Sequence, residues 1–480
     1  MAKAAILLIG GLDPQGCAGI AADIATVQHH DCHALPLITA MTEQTAQGLS
    51  DLGAVDAAKF MAQYQNCIAD FEIKAIKIGL IPDLAIAECI YTILSQHPDV
   101  PAVLDPVLAS SSGGTAVPES VQDYLCETLL PRLTLLTPNT PELIRLTGMN
   151  DSLEQAADLL RQKQLHACLV KGGHGDSAYA SDYFVAEFAE FYCYQQRLAV
   201  DVRGTGCVLA SAIASHLACG QDLRDAVVLA KSYVSRGIRL AEQAGPYRLI
   251  THSRDALELQ DLPKLCYRPE LIGEQFAFPA CQDRLGIYPV VDSSEWIEKL
   301  VDIEVATIQL RVKEQDQATT RQQIQQATDY VAGKAVNFFV NDYWQMAIEA
   351  GAYGVHLGQE DLHDANLKEI SQAGLRLGIS THSYWELARA LAVNPSYIAL
   401  GPIYETNSKQ MPFSPQGIDR LRQWVSLLQG HYPIVAIGGI NLDRARELKP
   451  TGVGSVAMIT AITQAEDYRE ATRELIELWQ

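Results

Sequence analysis

The hydrophobic positions of this chain form short, wholly apolar runs, separated by longer stretches in which apolar residues return every three or four positions. The short runs are typical of strands buried on both faces, and the longer stretches are typical of amphipathic helices. In the first half the predicted strands cover residues 4–10, 37–41, 73–78, 102–104, 133–136 and 168–170. This alternation predicts a layered α/β fold with a largely parallel sheet, whose ligands lie beyond the carboxyl ends of the strands.

The second half repeats the pattern at shorter intervals. Its predicted strands cover residues 285–291, 305–310, 336–340, 354–357, 376–379, 397–400, 434–437 and 454–459. Eight strands with intervening helices in so short a segment predict a compact (β/α)8 TIM barrel, with its active site at the carboxyl ends of the strands.

The chain has 480 residues, more than the roughly 250–300 that one hydrophobic core usually supports. Residues 246–283 contain four prolines without the glycine and serine content of a flexible tether, which indicates a structured linker. The predicted domains are therefore residues 1–245 and 284–480. The eleven cysteines end at Cys281, which also marks a change of domain.

Composition restricts the class of partner. A net charge of -21 argues against nucleic acid and anionic membranes, and no apolar run reaches the roughly 18 residues of a membrane span. The cysteines form no Cys-x-x-Cys pair, as expected of a cytoplasmic protein without a disulfide framework. We expect small-molecule substrates, and the sequence leaves the oligomeric state open, a homo-oligomer included.

Two acidic residues follow neighbouring strands of the predicted barrel. Asp342 ends the third strand, and Asp361 lies just beyond the fourth. Parallel strands finish on the same edge, so these carboxylates should lie close together, where a hard cation such as Mg2+ would find oxygen ligands.

The second barrel strand supplies positive charge. Gln309, Arg311 and Lys313 alternate, so they share one face if the strand runs through all three. Arginine binds phosphate through two hydrogen bonds and lysine acts as a point charge, which predicts a diphosphate clamp opposite the metal. The alternative is a surface salt-bridge cluster.

Small polar residues follow the later strands. They are Ser380 and His382 after the fifth strand, Thr406, Ser408 and Lys409 after the sixth, Gly438 and Gly439 after the seventh, and Thr460 after the eighth. Hydroxyls, glycine amides and a lysine on the last loops are typical of a phosphate pocket. His356 is interpreted as a histidine of the core, or as one that contacts a ligand-binding residue without binding the ligand itself.

In the first half, a glycine-rich loop at residues 10–19 leads into a helix that carries Asp23. Such a loop lets a ligand approach the backbone, although it more often serves only as a connection. Polar residues recur at the strand ends, namely Gln44, Lys77, Asp105, Asn139, Glu142 and Lys171.

The strongest local pattern in this half is Gly204-Thr205-Gly206-Cys207, followed by a helix of small residues. Its backbone N–H groups, at the positive end of a helix, predict an anion hole for a transferred phosphoryl group. Cys207 would be the proton acceptor, with its pKa lowered by the helix terminus. A tight turn with a structural cysteine explains the same residues equally well.

Residues 4 to about 240 resemble the hydroxymethylpyrimidine/phosphomethylpyrimidine kinase family, of ribokinase-like fold. The shared motifs are the opening glycine loop, Gln44, Lys77-Ile78-Gly79, Asp105-Pro106-Val107, Thr137-Pro138-Asn139, Pro141-Glu142, Lys171-Gly172-Gly173-His174 and residues 204–207. The resemblance implies that Gln44 and Asp23 lie in the pyrimidine site, that Asn139 and Glu142 lie near metal and nucleotide phosphates, that Lys171 reaches ATP, and that Cys207 acts as base. Cys17, Ala21, Ser111 and Arg203 depart from the usual residues.

Residues 284–475 resemble the thiamine phosphate synthase family. The shared motifs are Gln309-x-Arg311-x-Lys313, Asn341-Asp342, residues 354–361, Gly378-x-Ser380-x-His382, Gly401-Pro402-Ile403, residues 437–440 and residues 458–461. The resemblance implies that Asp342 and Asp361 bind Mg2+ and that Gln309, Arg311, Lys313, Asn341, Ser380 and Lys409 bind the pyrimidine diphosphate. Thr406, Ser408, Gly439, Ile459 and Thr460 would hold the thiazole phosphate.

Together the two resemblances imply thiamine biosynthesis. The first domain would phosphorylate hydroxymethylpyrimidine and its monophosphate with ATP, and the second would join the diphosphate to thiazole phosphate. Two alternatives stay open: the first domain is a degenerate binding or structural module, or the barrel is another phosphate-handling enzyme.

Overall fold

The structure is a computed structural model that describes residues 2–45, 48–108, 117–173, 177–313, 315–406 and 415–479, with the side chains of residues 44, 45 and 48–50 excluded. The chain divides into two compact units, Met1–Gly273 and Glu274–Gln480. The boundary therefore lies inside the predicted linker. Among the described helices, none is long and apolar enough to span a membrane.

The first unit is built on one sheet of ten strands, in the order β12-β9-β8-β7-β6-β5-β4-β1-β2-β3. The strands are β1 Ala5–Leu12, β2 His33–Thr45, β3 Gly48–Ala54, β4 Ile73–Ile78, β5 Ala102–Leu104, β6 Leu135–Leu136, β7 Ala167–Val170, β8 Tyr179–Ala186, β9 Glu190–Gln196 and β12 Lys264–Cys266, while β10 Glu242–Ala244 and β11 Tyr247–Leu249 form a separate hairpin. The helices are α1 Gly19–His29, α2 Ala57–Asp70, α3 Leu84–Gln96, α4 Glu119–Tyr124, α5 Thr140–Thr147, α6 Leu153–Gln162, α7 Thr205–Ala218 and α8 Leu223–Arg239.

The six strands predicted in this half are present and pair in parallel, from β2 through β1, β4, β5 and β6 to β7. Apart from β2, which alternates buried and exposed residues, they are almost wholly buried, since helices cover both faces of a parallel sheet. The carboxyl ends of these strands meet at one edge, and β3, β8, β9 and β12 extend the sheet in antiparallel fashion.

Part of the predicted linker belongs to this sheet. Strand β12 pairs with β9 in antiparallel register, Leu265 opposite Cys193, and both residues are buried. A short 3-10 turn at Leu259–Asp261 precedes it, and Arg239 of α8 donates to the Asp261 carboxylate at 2.9 and 3.0 Å. The chain to Gly273 is thus packed into the first unit.

The second unit is a closed barrel of eight parallel strands, which confirms the predicted fold. The strands are β13 Gly286–Val291, β14 Thr307–Leu310, β15 Asn337–Asn341, β16 Gly354–Leu357, β17 Arg376–Thr381, β18 Tyr397–Leu400, β19 Ile434–Ile437 and β20 Ser455–Met458. The helices are α9 Ser294–Val301, α10 Gln317–Val331, α11 Trp344–Ala350, α12 Gln359–Asp364, α13 Leu367–Gln372, α14 Tyr384–Val393, α15 Gly417–Leu428, α16 Leu442–Leu448, α17 Thr460–Thr463 and α18 Tyr468–Trp479.

Aromatic rings fill the inside of the barrel. Tyr288, Phe339 and Tyr397 are at most 1% exposed and contact one another edge-on or tilted, with ring centroids 5.2–5.9 Å apart. Glycine makes room for them: a Cβ on Gly378 would lie 2.1 Å from the Tyr397 ring. The barrel is therefore a packed core, and its open end is formed by the loops after the strands.

Candidate active sites

In the first unit the turn before α7 lies at the carboxyl edge of the sheet. Gly204 has φ +81°, and a Cβ there would lie 2.2 Å from the Cys17 carbonyl oxygen, so the turn and the glycine loop touch. A Cβ on Gly206 would lie 3.2 Å from Lys171 Nζ and 3.4 Å from Asp105 Oδ2. Among the residues that the structure describes, no side chain caps α7, so no side chain of theirs satisfies the amides of its first turn.

Lys171 is the cation of this site. Its Nζ lies 2.5 Å from Asp105 Oδ1 and 4.0 Å from Glu142 Oε2. Burial lowers the pKa of Lys171, but the two carboxylates outweigh burial and raise it above its ordinary value. The lysine is therefore charged at neutral pH and lies next to the α7 turn, while its role at ATP stays a prediction.

Asn139 and Glu142 have a structural role that the strand-end pattern does not reveal. They form a capping box on α5: the Glu142 amide donates to Asn139 Oδ1 and the Asn139 amide donates to Glu142 Oε2, both at 2.8 Å. Burial raises the pKa of Glu142, Lys171 lowers it and Asp105 raises it further. The cap fixes the Glu142 carboxylate beside Lys171, and Asp105, absent from the predicted ligands, completes the cluster.

The environment of Cys207 contradicts the expected pKa. The thiol is half-buried in the first turn of α7. Burial raises the pKa of Cys207 to about 11, nearby Lys77 lowers it, and Asp23 and Asp105 raise it. The prediction of a lowered pKa is wrong for the protein without ligand, because desolvation of the thiolate exceeds the effect of the helix terminus.

Asp23 also differs from its predicted role. Its carboxylate is wholly buried, with Oδ2 2.7 Å from Lys77 Nζ and Oδ1 accepting from Ser211 Oγ at 2.8 Å. The structure places it in an ion pair that ties α1 to β4 and α7, and not at a substrate surface. Burial raises the pKa of Asp23, and Lys77 opposes that shift.

We predict that Lys77→Met lowers the free energy of unfolding of the first unit by about 3–5 kcal/mol, because it leaves a buried carboxylate without its partner. Chemical denaturation of the full chain measures this change when the recorded signal reports the unfolding of the first unit. Lys74→Met is the matched control, since Lys74 lies on the same strand with an exposed side chain whose pairing with Glu72 contributes at most about 1 kcal/mol. Equal effects of the two substitutions would contradict the prediction.

The structure has room for Cys17 and Arg203, two residues that differ from the usual ones of the kinase family. Asp13 accepts hydrogen bonds from the amides of Gln15, Cys17 and Ala18 at 2.9–3.1 Å, so the loop is ordered around that carboxylate with the Cys17 side chain buried. The Arg203 guanidinium lies 4.5 Å from the centre of the Tyr247 ring. The side chain of Gln44 and residue Ser111 lie outside the described residues.

In the barrel, β15 and β16 are neighbours, with Asn341 opposite His356, so Asp342 and Asp361 follow adjacent strands as predicted. Asp342 has φ +64°, and its Oδ2 accepts a hydrogen bond from the side-chain amide of Asn341. Asp361 lies in the first turn of α12, and both carboxylates are half-buried. Within the described ranges no three His, Cys, Asp or Glu side chains are grouped to bind a metal.

The second barrel strand was expected to continue through Arg311 and Lys313, but it does not reach them. Strand β14 ends at Leu310, and the exposed fraction increases from buried Gln309 through half-buried Arg311 to exposed Lys313. Gln309 points into the barrel, where its amide donates to Tyr288 Oη at 3.3 Å. The two cations therefore lie on the loop beyond the strand, at the open end of the barrel.

A hydrogen-bonded chain inside the barrel joins two predicted ligands. From Gln309 it passes to Tyr288, then to Tyr397 at 2.9 Å, to His356 Nδ1 at 2.7 Å, and from His356 Nε2 to Ser380 Oγ at 2.8 Å. Burial lowers the pKa of His356 to about 3, with Arg311 and His382 acting in the same direction, so the imidazole is neutral. Sequence reasoning missed the two tyrosines, since an aromatic residue in an apolar strand gives no separate signal.

Ser380 is also held by its backbone. The side-chain amide of Gln359 donates to the backbone carbonyl of Ser380 at 2.6 Å. Buried Arg389 donates in turn to the backbone carbonyl of Gln359 at 2.6 Å. Near it, Glu386 accepts from the His382 amide and contacts His382 Nδ1 at 2.6 and 2.7 Å. Gln359, Glu386 and Arg389 were not predicted.

The loops that follow β18 and β19, two of those predicted to bind phosphate, lie together where the structure describes them. The amides of Ile403 and Tyr404 donate to the carbonyls of Ile437 and Gly438 at 2.9 and 3.1 Å. Gly439 has φ +66°, and a Cβ there would lie 2.4 Å from the Glu405 carbonyl oxygen. This close approach brings the loop that carries Thr406 against the loop that carries Gly439. Ile459 directly precedes α17, and exposed Thr460 is the first residue of that helix. Ser408 and Lys409 lie outside the described residues.

Comparison with known proteins agrees with the two units. A family model for phosphomethylpyrimidine kinase matches residues 13–252, and one for thiamine monophosphate synthase matches residues 287–462. Thiamine-phosphate synthase of Pectobacterium atrosepticum is 52% identical over 201 residues, which cover 42% of this chain and 94% of that protein.

Solved structures resemble each half. Phosphomethylpyrimidine kinase from Clostridium difficile is 30% identical with a TM-score of 0.43, covering 48% of this chain and 98% of that one. Thiamine phosphate pyrophosphorylase from Pyrococcus furiosus is 30% identical with a TM-score of 0.37, covering 41% of this chain and 96% of that one. The chain belongs to the phosphomethylpyrimidine kinase family through its first half and to the thiamine-phosphate synthase family through its second.

Proposed function

We propose that this chain catalyses two reactions of thiamine biosynthesis. The barrel joins hydroxymethylpyrimidine diphosphate to thiazole phosphate, giving thiamine phosphate and pyrophosphate. The first unit uses ATP to phosphorylate hydroxymethylpyrimidine and then its monophosphate, which supplies the diphosphate. The observation that carries the proposal is the position of Arg311, Asn341, Asp342, Asp361 and Ser380 at the carboxyl ends of consecutive barrel strands.

Charge accounts for the coupling reaction. Diphosphate leaves the pyrimidine methylene when cations neutralise it, and Arg311 and Lys313 at the open end of the barrel supply positive charge. The electron-rich aminopyrimidine carries the charge that remains, and the thiazole nitrogen attacks the methylene carbon. No strong base is needed, in agreement with the low pKa of His356, which makes its imidazole a weak base. Gln309 and Ser380, held through the tyrosine and histidine chain, orient the pyrimidine.

The donor set fits Mg2+. Asp342 and Asp361 offer two half-buried carboxylates, and Mg2+ commonly binds one or two carboxylates and completes its octahedron with water and phosphate oxygens. Bound there, Mg2+ would neutralise the leaving diphosphate. Thr406, Ser408, Gly439, Ile459 and Thr460 are proposed to hold the thiazole phosphate, and Asn341 and Lys409 the diphosphate.

In the first unit, positioning and electrostatics account for phosphoryl transfer. Lys171 is proposed to bind ATP phosphates, while the amides of residues 204–207 stabilise charge on the transferred group. Asn139 and Glu142 lie beside Lys171 and are proposed to face the nucleotide and its metal. Gln44 is proposed to bind the pyrimidine, and Cys207 to accept the proton of the attacking hydroxyl.

A degenerate first unit would not need this arrangement. The paired Lys171 and Asp105 and the uncapped α7 turn are costly to keep in a purely structural module, since a buried ion pair contributes little net stability. These features favour a catalytic first unit.

Product analysis tests the proposal. Purified full-length protein, given hydroxymethylpyrimidine, thiazole phosphate, ATP and Mg2+, should form thiamine phosphate detectable by mass spectrometry. Supplying the pyrimidine diphosphate directly separates the two activities. Product only from the diphosphate would restrict the proposal to the barrel, and no product in either case would overturn it.

We predict that the two activities are separable. The barrel closes within residues 274–480, which form their own compact unit, so a fragment of these residues should couple the supplied diphosphate at a rate within about threefold of the full chain. Circular dichroism establishes that the fragment is folded. A folded fragment without activity, beside an active full chain, would contradict the prediction.

A further inference from the structure

Cys32 and Cys219 approach each other in the first unit, away from the residues assigned to phosphoryl transfer. Cys32 lies between α1 and β2, and Cys219 is the C-cap residue that directly follows α7. Their sulfur atoms are 3.7 Å apart, although the two residues are 187 positions apart in sequence. We propose that Cys32 and Cys219 are a site of reversible disulfide formation that ties the carboxyl ends of α1 and α7 together.

The distance requires only a local adjustment. A disulfide needs the sulfur atoms ~2 Å apart, so each Sγ has to move by ~0.8 Å, which small side-chain rotations provide. The helices already contact each other, because Ser211 of α7 donates to Asp23 of α1 at 2.8 Å. The two helices that the bond would join are therefore already packed together.

The two thiols differ in the way that an attacking and a resolving cysteine differ. Cys219 is exposed, whereas Cys32 is 2% exposed. The contact with the Cys32 thiol lowers the pKa of Cys219, against the effect of burial, and so favours the thiolate of Cys219. The same contact, together with burial, raises the pKa of Cys32. Burial raises the pKa of Cys168, Cys193 and Cys266 to about 12, which disfavours reaction there.

The proposed oxidant is a small-molecule disulfide such as glutathione disulfide. The Cys219 thiolate attacks one of its sulfur atoms, forming a mixed disulfide and releasing one thiolate. Cys32 then loses its proton and attacks the Cys219 sulfur, releasing the second thiol. Two protein thiols are oxidised and one disulfide is reduced to two thiols, and excess thiol reverses both steps.

The disulfide would join two helices that border the proposed phosphoryl-transfer site and would stabilise the first unit. Helix α1 begins at the end of the glycine loop, and α7 begins at the Gly204 turn, so the amino ends of both helices border the proposed phosphoryl-transfer site. A bond between their carboxyl ends closes a long loop of the unfolded chain. We expect oxidation to raise the melting temperature of the first unit by about 5–10 °C.

The test uses the full chain in buffers of glutathione and glutathione disulfide, followed by alkylation and peptide mapping. The expected result is a Cys32–Cys219 linked peptide that dithiothreitol removes, together with the higher melting temperature. Cys32→Ser should instead accumulate glutathione on Cys219, and Cys67→Ser, a half-buried cysteine on α2, should still form the link.

Three results would overturn the proposal. They are glutathione remaining on Cys219 of the unsubstituted chain without a link to Cys32, a disulfide between two chains in its place, and a link that lowers the melting temperature. The first two are read from the unsubstituted protein, so the proposal stays testable even if Cys32→Ser does not fold.

Discussion

Replacing Asp342 or Asp361 by asparagine is expected to reduce the coupling rate of the barrel by at least about 10²-fold, with little change of fold. Loss of a charged metal ligand removes several kcal/mol of stabilisation from the leaving diphosphate, and about 1.4 kcal/mol corresponds to tenfold in rate. Asparagine is chosen because Asp342 has φ +64°, a backbone conformation that asparagine tolerates and alanine does not.

Thermal stability provides a readout besides activity. Without Mg2+, each variant should melt at the same temperature as the parent or slightly higher, because one of two like charges is gone. With Mg2+ and pyrophosphate, the parent should be stabilised by mass action and the variants should not. Asp364→Asn is the matched control, since Asp364 lies exposed on the same helix as Asp361. Variants stabilised as much as the parent would show that these carboxylates hold no metal.

Cys207→Ala is expected to reduce phosphorylation of hydroxymethylpyrimidine by about 10²- to 10⁴-fold, the usual effect of losing a general base. Coupling of a supplied diphosphate should be unchanged, since that reaction belongs to the other unit. Cys67→Ala is the control, as a cysteine outside the proposed site. Full ATP-dependent phosphorylation by Cys207→Ala would return Cys207 to a structural role.

The pH dependence follows from the raised pKa of Cys207. With a pKa of about 11, the thiol is almost wholly protonated at pH 7, and the thiolate fraction increases about tenfold per pH unit below that pKa. The kinase rate of the parent should therefore rise from pH 7 to pH 10, and the residual rate of Cys207→Ala should be flat. A flat parent profile would contradict the thiolate as the reactive form.

Much of the fold can be predicted from the sequence, because each parallel strand is a short apolar run between turn residues. Strands β4, β5, β16, β18 and β19 have the predicted bounds. Strands β3, β8, β9 and β12 were missed: they extend the sheet in antiparallel fashion at its two edges, and β12 lies in the proline-containing stretch interpreted as a linker. Strand β12 pairs with β9 across a long stretch of chain, and such pairing leaves no local pattern.

The sequence by itself determined the two folds and the residues that reach the strand ends, because in parallel α/β folds the hydrophobic pattern sets where each strand ends and every strand ends on the same edge. Only the tertiary structure decided what those residues contact. Asp23 pairs with Lys77 in the core, Gln309 and Ser380 are joined through buried tyrosines and His356, and Cys207 has a raised pKa. Burial and long-range contacts set these properties, and both arise only when distant segments pack together.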